Sequence, residues 1–201
     1  MDGAQKLVGL AIRSWVTLSV GVAAGVAFAW PGLAGRLIYN RADILAGEAW
    51  RMWTGHLVHF NPGHLLWDLA VFLPAGAWLE WTAPALTRWF YALTPLAISA
   101  LLLSVEPTLG YYAGLSGLAT GVLVLLAIVQ LRRDTVGPRW FWPGVLLLVA
   151  AKVVVELRAQ APLVVHFEPG VRTVPLAHLG GIACALVAAL LAALRARRHV
   201  S

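Results

Sequence analysis

The chain has 201 residues, 60% of them hydrophobic and 12% charged, with a mean hydropathy of +0.79. A soluble domain carries about 25% charged residues, so this composition excludes a surface solvated mainly by water and points to lipid. The formal charge of +6 does not mark a nucleic-acid partner, because no basic stripe interleaves with exposed aromatics. A lone cysteine, Cys184, excludes a disulfide framework or a thiolate metal cluster within one chain.

In chain order, the stretch from Lys6 to Trp30 has a basic start and an apolar body. It could pass for a signal peptide, but the long apolar run and the lack of a clear small-residue cleavage site predict a retained first span over 14–30. A connection over 31–63 follows, mixing apolar residues with Arg, Glu and Asp. Its Trp50-Arg51-Met52-Trp53 stretch reads as half embedded in the interface, and long ordered connections are often functional. Arg51 is expected to brace this segment through its carbonyls.

Further apolar runs predict spans over 64–81, 89–105, 116–131, 140–157 and 175–194. At ~20 residues per crossing, six spans fit the length. The runs are continuous rather than alternating, which favours helices over barrel strands. Trp30, Trp81, Trp89, Trp140 and Trp142 fall near predicted ends, as in an interfacial belt. Glu80, at an inner helix end, is expected to bond loop backbone or Arg88. Lys152 and Glu156 form an i,i+4 pair whose mutual neutralisation accounts for both.

The fold expected is an all-α membrane protein, a single domain over 1–201 with six helices. Placing the N-terminus inside puts Lys6, Arg13, Arg88, Arg132, Arg133, Arg139, Arg195, Arg197 and Arg198 on the cytoplasmic side. Arg36, Arg41, Arg51, Arg158 and Arg172 then lie outside. That excess predicts that both termini are cytoplasmic.

An ionisable group inside a span costs roughly 2.5–3.5 kcal/mol on insertion scales, so each asks for a reason. With the N-terminus inside, the second, fourth and sixth spans enter from the outer face. Near their starts lie His64 with Asp68, then Ser116, then His178. Shared depth on one side lets these groups converge.

Ser116 sits in Gly114-Leu115-Ser116-Gly117. A serine at a helix N-terminus is ordinarily a cap. The flanking glycines permit close backbone approach and leave the serine amide open to a developing oxyanion. The soluble-hydrolase G-x-S-x-G pattern is absent, because position 118 is leucine. His178 alone reads as a buried neutral histidine on a carbonyl. Gly181 and Ala185 extend its helix face, while Gly117 and Gly121 make a matching small face on the fourth helix.

His64 and Asp68 are one turn apart and share a face. With His56 and His59 they could instead form a metal site. That reading leaves Ser116 and His178 unexplained, and His56 and His59 precede Pro62 on a different element. Neither a metal nor a cofactor is therefore expected.

Taken in order and spacing, these residues resemble the rhomboid family of intramembrane serine proteases. The resemblance runs from Glu48 to the sixth helix. It includes Trp50-Arg51, Thr54, His59, His64, Glu80, the Gly114-Leu115-Ser116-Gly117 motif, and Ala177-His178 with Gly181 three residues on. It implies a six-helix bundle with a Ser116/His178 dyad, an oxyanion site at the Ser116 amide and His64, and a membrane-anchored protein substrate. The chain departs from the family pattern at Asp68, where asparagine is usual, and at Thr120, where many members carry an aromatic.

The small size, Tyr111-Tyr112, and Lys152 with Glu156 are similar to the rhombosortase branch. That likeness implies a bacterial inner-membrane enzyme acting on Gly-Gly-containing C-terminal sorting segments of exported proteins. An ionised Asp68 has only acceptors and would repel an oxyanion. It is therefore expected either to be protonated, as burial favours, or to turn away and orient His64. Two rival functions are an inactive rhomboid-like binder of membrane helices and a small transporter. The first need not keep serine and histidine together. The second calls for polar residues at full depth, whereas 122–128 and 185–194 are apolar.

Overall fold

The computed structural model describes residues 13–133, 138–159 and 173–198; Lys6 and Arg172, counted above for orientation, lie outside them. Six long helices follow the six apolar runs: α1 (Trp15–Ala29), α5 (Pro62–Thr82), α6 (Pro84–Val105), α7 (Ser116–Arg133), α8 (Phe141–Ala159) and α9 (Pro175–Arg198). Among the described residues, three helices are long and apolar enough to cross a membrane: Pro84–Val105, Ser116–Arg133 and Pro175–Arg197. Helix α1 is apolar but has 15 residues. Polar groups dilute the other two, His64, Asp68 and Glu80 in α5 and Lys152, Glu156 and Arg158 in α8.

Local chemistry sets the helix starts. Asn61 caps α5, its Oδ1 accepting from the His64 amide at 2.8 Å, and Pro62 opens the first turn, where a missing N–H costs nothing. Pro84 separates α5 from α6 in the same way.

Helix α7 is the central element, buried nearly all round: Leu118, Val122, Leu125 and Leu126 form one stripe, Ala119, Val124 and Ala127 are buried outside it, and the helix packs against α5, α8 and α9. Its crossing with α9 is set by glycine. A Cβ on Gly117 would lie 2.9 Å from the Ala177 carbonyl oxygen, and one on Gly121 2.7 Å from that of Gly181. A Cβ on Gly181 would run into the Gly117 carbonyl oxygen. Ala185, one turn beyond, is fully buried.

The connection over 31–63 is folded rather than extended, with short helices α2 (Leu33–Leu37), α3 (Arg41–Leu45) and α4 (Arg51–Thr54) and a 3₁₀ turn at Gly55–Leu57. Buried Arg51 organises it. Its Nη1 donates to the carbonyls of Gly35 and Ile38 at 3.0 Å, and its Nε and Nη2 meet Glu48 and Asp43. The all-α expectation needs one correction. Strand β1 (Tyr39–Asn40) pairs antiparallel with β2 (Tyr111–Tyr112), Tyr39 opposite Tyr112. Both tyrosine rings are buried and meet edge-on at 6.2 Å, which repays pairing two such short segments.

Glu80 also corrects its expectation, because its partners belong to α1 rather than to a loop or Arg88. The fully buried carboxylate accepts from the amides of Val16 and Thr17 and from Thr17 Oγ1, at 3.2, 2.9 and 2.8 Å. It satisfies donors that the first turn of α1 leaves open. Arg88 sits instead over the Trp15 ring.

His56, on the 3₁₀ turn, is buried with Nε2 at 3.1 Å from the Pro95 carbonyl and 3.2 Å from Ser99 Oγ. Burial pushes its pKa down to about 4, against a smaller opposing effect of the Pro95 bond. The unfolded chain therefore takes up a proton first as pH falls through about 6.5. Stability in detergent is expected to be flat above that pH and to decline from there towards pH 4, by on the order of 3 kcal/mol. Unfolding midpoints measured across this window should show the decline, and His56→Gln should blunt it. An equally steep decline in His56→Gln would show that another group carries it.

Candidate active site

Ser116 is the first residue of α7, reached through a turn that only glycine makes easily. Gly114 has φ +119°, and a Cβ there would lie 2.6 Å from His64 Nε2. The turn brings the chain against the start of α5 and leaves the half-buried Ser116 at the head of its helix. Thr120 Oγ1 bonds back to the Ser116 carbonyl at 2.7 Å, so the position where an aromatic is common in the resembling family is occupied by a local hydroxyl bond.

His178, in the first turn of α9, is 4% exposed. Ser116, His178 and His64 line one cavity of about 440 Å³, together with Phe60, Tyr112 and Val174. Serine, imidazole and the second-helix histidine thus share a single cleft, from three helices that all start at that end. Burial first, and then the charge of Asp68, push the Tyr112 phenol above its usual range, with hydrogen bonding to Ser116 opposing them. Tyr112 Oη donates to the Gly114 carbonyl at 3.2 Å, bracing the glycine turn.

Asp68 does not turn away from the cleft. Its Oδ2 lies 3.1 Å from His59 Nε2 and 3.4 Å from His64 Nε2. The nearer partner is His59, which the sequence placed on a different element; it is on one, the segment before α5, and folds back onto Asp68. His59 Nδ1 is 3.1 Å from the Leu57 carbonyl, which can only accept, so Nδ1 carries a hydrogen. One further proton must then lie between His59 Nε2 and Asp68 Oδ2, since neither a bare lone pair nor a bare carboxylate oxygen can donate.

The Leu115 amide points at the same nitrogen at 3.4 Å. The ligand atoms of His59, His64 and Asp68 all lie within 4.8 Å of one another, as a metal set would. A cation on His59 Nε2 would face the positive end of that amide, and the 3.1 Å spacing of His59 Nε2 and Asp68 Oδ2 is that of a hydrogen bond. The cluster reads as a proton-sharing network.

One functional contact was missed from sequence. Glu156 Oε2 accepts from His178 Nδ1 at 2.8 Å, while its Oε1 takes Lys152 Nζ at 2.8 Å. The pair read as self-neutralising is therefore also a partner of His178. The cost of two charges within an apolar run was the available signal; spacing along one helix could not show a partner on another.

The fold and this cleft define an integral membrane protein whose apolar helices carry a serine–histidine pocket at one end. Residues 46–195 match the rhomboid domain family. The chain belongs to the rhomboid family, a family of intramembrane proteases. A comparison with curated proteins gives no match.

Proposed function

We propose that this protein is an intramembrane serine endopeptidase in which Ser116 is the nucleophile and His178 its general base. The observation that carries the reading is the shared cleft: Ser116 and His178 line one cavity beside the glycine crossing of α7 and α9. Ser116 Oγ attacks the substrate carbonyl as its proton passes to His178 Nε2. The imidazolium then protonates the departing amine. Water or an amine resolves the acyl-enzyme.

The oxyanion is held by the Ser116 amide, at the positive end of α7, and by His64. The proton shared with His59 answers the objection to Asp68, because the His59–Asp68 pair then carries no net negative charge to repel the developing oxyanion. All six long helices span the bilayer with both termini cytoplasmic, and the cleft opens towards the outer face of a bacterial inner membrane. Tyr111-Tyr112 and the Lys152–Glu156 pair support the rhombosortase branch, with membrane-anchored substrates bearing Gly-Gly sorting segments.

The test is labelling of the full chain in detergent with a fluorophosphonate probe. Covalent capture is expected at Ser116, and both Ser116→Ala and His178→Ala should lose it. Capture that persists in Ser116→Ala, or none in the unmodified chain, rejects the assignment.

A further inference from the structure

We infer that Glu156 is a positioning residue that turns the Ser116/His178 pair into a three-member relay, with Lys152 fixing the charge of its carboxylate. The inference rests on the reading of Ser116 and His178 given above. Glu156 and Lys152 lie one turn apart on α8, whereas His178 opens α9, so the contact joins two helices. Glu156 is 3% exposed and His178 4%; the Lys152 side chain is 36% exposed.

Two hydrogen-bonding assignments compete at His178 Nδ1. In one, Nδ1–H donates to Glu156 Oε2 at 2.8 Å; in the other, Nδ1 accepts from Lys152 Nζ at 3.4 Å. The shorter bond to a carboxylate is much the stronger. Lys152 already has a better acceptor in Glu156 Oε1 at 2.8 Å. Nδ1 therefore carries the hydrogen and Nε2 carries the lone pair, the tautomer a general base towards Ser116 requires. The imidazolium formed when His178 takes the Ser116 proton gains an anion already in contact.

Lys152 has a separate part. It pairs the buried carboxylate at rest, so Glu156 can stay ionised without drawing a second proton to the site. The other titratable groups around His178 are His64 on α5, and Tyr111 and Tyr112 on the cavity wall.

The charges predict opposite responses. In Glu156→Gln, Lys152 holds the amide oxygen and turns the amide NH₂ towards Nδ1, forcing the hydrogen onto Nε2. Second-order labelling of Ser116 by a fluorophosphonate should fall on the order of 100-fold, in line with the larger loss known when a triad aspartate becomes asparagine. The acid limb of its pH–rate profile should move to lower pH. In Lys152→Met the carboxylate is uncompensated, and the acid limb should move to higher pH with a smaller loss of rate. Glu156→Asp, which keeps the charge, should recover part of the rate.

A purely structural link between α8 and α9 would change the folded fraction without moving the limb in opposite directions. Labelling of Glu156→Gln at the unmodified rate with an unmoved limb overturns the role of Glu156, as does an unmoved limb in Lys152→Met should the glutamine variant fail to fold. Absence of labelling in the unmodified chain strikes instead at the Ser116/His178 reading beneath it.

Discussion

Gly181→Leu is expected to abolish the folded, active protein. A Cβ at this position meets the Gly117 main-chain carbonyl, and backbone within a packed helix cannot swing aside as a side chain can. Overpacking against movable side chains costs ~1–3 kcal/mol, so a clash with main chain lies at or above the top of that range. Relief requires α7 and α9 to separate, and that separation would carry Ser116 away from His178. Thermal unfolding in detergent and fluorophosphonate labelling should therefore fail together. Gly25→Ala is the control, since nothing lies within 4 Å of a Cβ there. If Gly181→Leu unfolds and labels like the unmodified chain, the close crossing does not hold the cleft.

The second large effect is expected at Asp68. Its Oδ2 serves both His59 and His64, so Asp68→Leu removes two contacts and leaves buried ring nitrogens facing a hydrocarbon. On the proposed mechanism, His64 then loses the neighbour beside which it would offer a hydrogen to the oxyanion. Losing one oxyanion donor costs about 10²–10³ in rate, and a fall near 100-fold is anticipated for the leucine variant. Asp68→Asn should keep activity within about tenfold, because its amide can supply the hydrogen that His59 Nε2 would otherwise share with the acid. Cleavage or labelling rates for the two variants decide the matter. Equal activity of Asp68→Leu and the unmodified chain would remove Asp68 from the cleft's chemistry. A dead Asp68→Asn would show that the negative charge itself is needed.

How much of this was legible beforehand differs by kind of contact. The six long helices were readable because lipid demands continuous apolar runs, and their starts because proline and asparagine mark first turns. Ser116, His64 and His178 could be grouped by depth, since topology alone decides which ends share a side. What sequence could not give were the partners that packing selects, even for His59 and Asp68, which it grouped only as a possible metal set. Glu156 to His178 and Glu80 to Thr17 each join residues on different helices, whose chain separation carries no geometric information. The paired strands escaped notice because two residues show no periodicity; the burial of Tyr39 and Tyr112 is a tertiary fact.

The strand pair also ties distant parts of the chain into one unit. The segment that Arg51 organises presses through Tyr39 onto Tyr112, and Tyr112 bonds the carbonyl of the glycine turn before Ser116. The freedom that a short approach to a nucleophile would otherwise retain is thus given up when the chain folds. Under the proposed function, a polypeptide entering the cleft would meet a backbone already in place, and its binding need not supply the ordering.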